Sequence, residues 1–175
     1  MSSLSTRSTT GRAVGAALVC LIGLYATAAQ AQVQDWQSNV SSCTPANDYT
    51  LVNGQVVVAG GYVRAPALAG PNPPLIYSCN VLDSYATVVP TWNWLRLQFN
   101  SPVAGSVTAA LYAKDKITGV STLQATVANF ASAGVANAQV PLPALNFAVN
   151  SHFVVVTLAP QPNFRVQAHM VTTAQ

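Results

Sequence analysis

The chain has 175 residues, of which 51% are hydrophobic and 6% are charged, and its formal net charge is +3 at pH 7. High hydrophobicity with so few charges excludes a disordered chain. Because its lysines and arginines are not clustered, the sequence offers no electrostatic surface for nucleic acid or for an anionic membrane.

The first 31 residues have the pattern of a cleaved signal peptide. Arg7 and Arg12 supply positive charge, and an uncharged apolar run covers residues 13–25. Ala29-Gln30-Ala31 then gives the small-x-small pattern of a signal-peptidase site. The apolar run is too short to span a bilayer comfortably. The pattern therefore predicts cleavage before Gln32.

Cys20 lies inside the apolar run and raises lipid attachment as an alternative. It follows Val19, where a lipoprotein signal has a small residue, so cleavage is favoured. We expect an exported protein, periplasmic or extracellular, with one domain over residues 32–175 and no stable membrane insertion once the leader is removed. This region holds five lysines and arginines and four aspartates, which gives a net charge of +1.

Two cysteines remain after the leader, Cys43 and Cys79. In an oxidising compartment, two cysteines on one small domain most often form a disulfide. A redox-active pair is less favoured because the C-x-x-C spacing is absent. No third cysteine or nearby histidine favours a metal site.

The region between the cysteines predicts a hairpin and a loop. Tyr49–Val52 and Gln55–Ala59 flank Asn53-Gly54, a dipeptide that tolerates the positive φ angles of a type I′ turn. The four prolines between Pro66 and Pro74 exclude a helix or an internal strand. Leu75–Cys79 then predicts a strand.

The second half of the chain alternates between apolar and polar residues with a period of two. This pattern predicts the following inward-facing sets, each in its own strand: Leu95, Leu97 and Phe99; Val107, Ala109, Leu111 and Ala113; and Phe164, Val166, Ala168 and Met170. A return strand passes through Leu123, and a weaker strand covers Gly134–Leu142. Phe153–Leu158 is apolar throughout, which predicts a central strand covered on both faces.

About eight to ten strands with no intervening helices are typical of an all-β fold. We predict an antiparallel β-sandwich, either jelly-roll or Ig-like.

No residue pattern predicts catalysis, and we expect a non-enzymatic protein without metal or cofactor. Asp48 and Asp83 are the most plausible acid pair, but both lie in turn-like dipeptides. His152 and His169 are interpreted as surface or edge residues. Neither histidine has acidic neighbours at the spacing of metal ligands.

One constellation suggests binding. If Leu95, Leu97 and Phe99 fill the core, the opposite face of that strand carries Trp92, Trp94 and Arg96. Tyr112 is a further aromatic residue of this predicted binding face. Exposed aromatic residues can stack on sugar rings or anchor a protein. The alternative is that a loop covers the tryptophans.

The sequence therefore leaves two functions open. The first hypothesis is a partner-binding or surface-assembly module, which needs an apolar patch or an unpaired strand edge. The alternative is a carbohydrate-binding module, which needs an exposed tryptophan pair. A small hydrolase is the least favoured interpretation.

Overall fold

The structure, a computed structural model, describes residues 35–53, 57–58, 61–67, 72–81 and 91–175, with only the backbone described at 51–53 and 57–58. The predicted signal peptide and its cleavage site, residues 68–71 of the proline-rich loop, and Asp83 lie outside the described residues. No helix in the described ranges is long and apolar enough to cross a membrane.

The described strands form two antiparallel sheets. Sheet A contains β1 (Gln37–Asn39), β3 (Val57–Val58), β4 (Tyr62–Ala65), β6 (Trp94–Asn100), β9 (Ala136–Pro141) and β11 (Val166–Ala174). Sheet B contains β2 (Thr44–Pro45), β5 (Leu75–Val81), β7 (Val107–Asp115), β8 (Ser121–Ala128) and β10 (Asn150–Leu158). The described residues also contain two short helices, the 3-10 helix Val40–Ser42 and α1 (Asp48–Asn53).

The strand order is that of a jelly roll. Sheet A runs β3-β4-β11-β6-β9, with β1 also paired to β11, and sheet B runs β2-β5-β10-β7-β8. From β4 onward the chain changes sheet at every connection except the β7–β8 hairpin, as in a two-sheet jelly roll. The predicted antiparallel β-sandwich is confirmed. Eleven strands in the described ranges slightly exceed the expected number because β1, β2 and β3 are only two or three residues long.

The core lies between the inner faces of the two sheets. Leu95, Leu97 and Phe99 of β6 are fully buried, as are Val107 and Leu111 of β7. The alternation predicted for these two strands is therefore confirmed. Burying such a side chain contributes about 1.5–3 kcal/mol, so this inner face fixes which residues β6 and β7 present outward.

The hairpin predicted at Tyr49 is wrong, because Tyr49–Val52 lies within α1. The side-chain oxygen of Asn47 accepts a hydrogen bond from the backbone N–H of Thr50 at 2.8 Å, which caps the first helical turn. Thr50 is buried, and its hydroxyl accepts a hydrogen bond from the backbone N–H of Ile76 in β5 at 2.8 Å. The first contact stabilises the start of α1, and the second holds α1 against β5.

Two expectations in the last strands need correction. Phe164 is exposed because it lies in the β10–β11 connection, before β11 begins at Val166. Met170 points outward because β11 has a register shift between Ala168 and Met170 that reverses the alternation. The strand predicted at Phe153 is central, between β5 and β7, but only its inner face is buried. Its outer residues are half-buried and face away from the core.

Candidate functional site

The disulfide is the predicted site feature that the structure confirms directly. Cys43 and Cys79 are bonded, with their Cα atoms 4.6 Å apart. Cys43 immediately precedes β2, and Cys79 lies in β5, so the bond supports the pairing of β2 with β5. It anchors the start of the described chain to sheet B.

The prediction that both tryptophans stand outward is wrong for Trp92. Its side chain is 3% exposed and packs edge-on against Phe147, with ring centroids 5.5 Å apart. The alternation of β6 starts at Trp94, so it does not fix where Trp92 points. Trp92 is a core residue and offers no ring to a ligand.

The remaining three residues of the predicted binding face do not lie together. Trp94 and Arg96 are half-buried on the outer face of sheet A. Tyr112 is on the outer face of sheet B, where it stacks on Phe153 with centroids 5.3 Å apart and an interplanar angle of 12°. The sandwich core separates these two faces. Whether any of them binds a ligand stays a prediction.

The histidines and aspartates do not form a reactive centre in the described ranges. His152 is only 3% exposed and packs against Phe147 at 4.5 Å, so its interpretation as a surface or edge residue is wrong. His169 is half-buried and stacks on Tyr62 at 4.6 Å, and burial lowers its pKa. Asp48 is exposed at the start of α1. No group of three or more His, Cys, Asp or Glu could hold a metal ion among the residues described.

Most of the exposed large apolar side chains in the described residues lie close to one another in the sequence. In the described part of the chain, the large hydrophobic residues that are exposed are Ile117, Val120, Leu123, Phe130, Val135, Val149 and Phe164. The first five lie within residues 117–135. Val149 is held beside the same turn, because its carbonyl accepts a hydrogen bond from the N–H of Lys116 at 2.9 Å. Phe164 lies apart from these residues, in the β10–β11 connection.

The strand within this segment is an edge of sheet B. We call β8, together with the flanking residues 117–120 and 129–135, the β8 edge. β8 is eight residues long, pairs only with β7 among the described strands, and contains no charge and no proline. The described edge strands β2 and β3 are two residues long, and β9 ends at Pro141. Charge, proline and short length are the usual protections of an edge. β8 lacks all three, although one register shift opposite Leu111 and Tyr112 interrupts it.

The β7–β8 turn holds its apolar residues on an ordered backbone. One carboxylate oxygen of Asp115 accepts hydrogen bonds from the N–H groups of Ile117 and Thr118, at 2.9 and 2.6 Å, and from the Thr118 hydroxyl at 3.0 Å. These bonds, led by the one from the Thr118 backbone, lower the pKa of Asp115. Gly119 takes a positive φ of 72° that closes the turn. Ile117, 94% exposed, is therefore displayed by a structured turn.

A second feature lies on the outer face of sheet A. A concavity of about 380 Å³ is lined by Arg96, Gln98, Asn137, Gln139, Met170 and Thr172. We call it the Arg96 concavity. Arg96 donates a hydrogen bond from Nε to the side-chain oxygen of Gln139 at 3.0 Å.

Sequence reasoning found Arg96 but missed the β8 edge. The sequence signal that could have revealed this edge is Ile117, a large aliphatic residue isolated in a polar turn, where a core residue is not expected. Gln139 was also missed, although it alternates with the half-buried Ala138 and Val140. Such alternation shows that Gln139 faces outward but not which strand lies beside it.

No protein-family model matches the sequence, and no curated protein matches it. Solved structures match in fold. A family two carbohydrate esterase from Cellvibrio japonicus is 10% identical, with 81% of this chain and 34% of that chain covered and a TM-score of 0.38. This chain thus spans about a third of the esterase's length.

Two carbohydrate-binding modules match over most of their own length. A family 29 module from Piromyces equi is 11% identical, with 81% of this chain and 92% of that chain covered and a TM-score of 0.43. A family 11 module from Clostridium thermocellum, in complex with a β-1,3-1,4-mixed-linked tetrasaccharide, is 12% identical, with 81% and 82% covered and a TM-score of 0.39. At these values the likeness concerns the sandwich fold and carries no argument about function.

Proposed function

We propose that this protein is an exported, non-enzymatic assembly module that associates with a second copy of itself through the β8 edge. The observation that carries the proposal is that β8 is an uncharged edge strand that exposes Leu123 and is flanked on both sides by further exposed apolar side chains. The Cys43–Cys79 disulfide supports export, because disulfides persist in oxidising compartments.

A second copy suits this edge for electrostatic and geometric reasons. Identical strands can pair antiparallel about a two-fold axis, and each residue then meets the matching surface of the other copy. Since β8 has no charged residue, such pairing opposes no like charges across the interface. The apolar side chains at Ile117 and Leu123 would lose water contact on pairing, which favours association.

The carbohydrate-binding alternative in its original form needs an exposed tryptophan pair. Trp92 is buried, so this pair does not exist at the surface. The requirement for an unpaired strand edge is met by β8. The structure therefore supports assembly better than sugar binding through Trp92 and Trp94.

The proposal is tested by the mass of the exported protein in solution, measured by light scattering after size-exclusion chromatography. We expect a concentration-dependent dimer. Leu123→Lys, which places a charge on the edge, should weaken dimerisation by about tenfold or more.

Phe164→Lys is the matched control, because Phe164 is 48% exposed and Leu123 is 53% exposed. We expect this variant to dimerise as the unaltered protein does. A monomer at every concentration, or equal weakening by both substitutions, would contradict the proposal.

A further inference from the structure

The Arg96 concavity is built from two rows of side chains that cross sheet A. Strand register places Thr172, Arg96 and Gln139 in one row and Met170, Gln98 and Asn137 in the next. Adjacent strands are about 4.8 Å apart, so these side chains form a patch of three amides, one hydroxyl, one guanidinium and the Met170 thioether. The Arg96 concavity lies over the middle strands of sheet A, whereas the β8 edge belongs to sheet B.

Arg96 is oriented but leaves its terminal nitrogens available. The hydrogen bond from Nε to Gln139 fixes one edge of the guanidinium. The two Nη groups make no hydrogen bond or ion pair with any residue in the described ranges. Paired Nη groups match the two oxygens of a carboxylate in a planar, bidentate contact.

The charge of this face favours an anion. Arg64 of β4 lies on the same outer face, but register aligns it through Gln167 with Asn100, four residues along β6 from Arg96. Of the described aspartates, Asp48 begins α1 and Asp115 ends β7 in sheet B, whereas Asp35 lies two residues before Gln37, the β1 residue that pairs with Thr172. Among the described residues that line the concavity, an anionic group therefore meets one cation, Arg96, and no carboxylate.

The other lining groups favour a glycan over a peptide. An extended peptide is usually held by main-chain hydrogen bonds at a strand edge. Here β6 already pairs on both sides, with β11 and β9, so the ligand must be held by side chains. The amides of Gln98 and Asn137 both donate and accept, which suits sugar hydroxyls. The half-buried Trp94, the next outward residue of β6, offers an aromatic ring to a sugar face.

We propose that the Arg96 concavity binds a uronic-acid glycan, with the sugar carboxylate on the Nη groups of Arg96. The site lies on the opposite sheet from β8 and does not depend on dimerisation.

The test is isothermal titration of the exported protein with three probes: oligogalacturonate, alginate oligomers and hyaluronan oligomers. At least one should bind, with an affinity that falls as salt rises. The methyl-esterified form of oligogalacturonate, which keeps the sugar but loses the charge, should bind about tenfold more weakly if the acid form binds. Poly-L-glutamate should not compete.

Variants locate the site. Arg96→Gln should weaken binding by about tenfold or more, whereas Lys114→Gln, which removes a charge on sheet B, should leave it unchanged. Equal effects of the two variants, stronger binding of poly-L-glutamate, or no binding of any of the three glycans would overturn the proposal. Because Leu123→Lys changes the dimer and not this concavity, failure of one proposal can be distinguished from failure of the other.

Discussion

Two tryptophans two positions apart lie in different environments, and the difference follows from where the strand begins. Trp94 is the first residue of β6 and follows its alternation, so its side chain lies half-buried on the outer face. Trp92 precedes the strand and turns into the core against Phe147. Trp92 therefore contributes to the stability of the core, whereas the ring of Trp94 is partly accessible at the surface.

Alanine substitutions separate these two roles. Trp92→Ala should lower the free energy of unfolding by about 3–5 kcal/mol, because it leaves a cavity in the core. Trp94→Ala should lower it by less than about 1 kcal/mol. Chemical denaturation of both variants measures the difference, with Leu97→Ala, at about 2–5 kcal/mol, as the core reference. Equal losses at the two tryptophans would contradict the assigned burial.

Tyr77 gives a prediction at alkaline pH. Burial raises its pKa from 10.0 to about 12, since the charged phenolate is disfavoured in the core. The folded state therefore holds this proton more tightly than the unfolded chain does. The stability that this contributes is complete below pH 10 and is lost as the pH rises towards 12.

Phenolate absorbance during a pH titration measures this effect. A late ionisation step near pH 12, or one that coincides with unfolding, should be present in the unaltered protein and absent in Tyr77→Phe. Tyr112→Phe, which changes a half-buried tyrosine on the outer face of sheet B, should keep the step. Persistence of the late step in Tyr77→Phe would show that it belongs to another residue.

At the scale of single elements, the sequence predicted what depends on regular alternation. The inward sets of β6 and β7 are buried as expected because a period of two is fixed by strand geometry. The same reasoning failed where the backbone departs from a regular strand. The cap at Asn47 turns an apparent hairpin into α1, and the bulge before Met170 reverses the pattern of β11. Neither event changes the hydrophobic pattern from which strands are predicted.

The disulfide should stabilise the element at the start of the described chain. Reduction of Cys43–Cys79, which are 36 positions apart, should lower the free energy of unfolding by about 3–4 kcal/mol on the chain-entropy model. Chemical denaturation with and without reductant measures this loss, and a Cys43→Ala/Cys79→Ala variant should show no response to reductant. Two reactive thiols per chain after denaturation without reductant would contradict a formed bond.

At the scale of the whole molecule, topology decides which surfaces remain unpaired. The jelly-roll order places β8 at the end of sheet B and β6 in the interior of sheet A. The sequence predicted a sandwich and the outward position of Arg96, but it did not give the strand order. The β8 edge and the partners of Arg96 depend on that order, because Gln139 and Thr172 are far from Arg96 in sequence and adjacent in register.

The central claim is that the β8 edge is an association surface, and hydrogen exchange of its backbone amides tests it most directly. Amides of β8 that point away from β7 pair with no described strand of the same copy and should exchange quickly at low protein concentration. We predict that Ser121–Ala128 becomes protected as concentration rises, while β9, the six-residue edge strand of sheet A, does not change. Exchange at β8 that is independent of concentration would contradict the account.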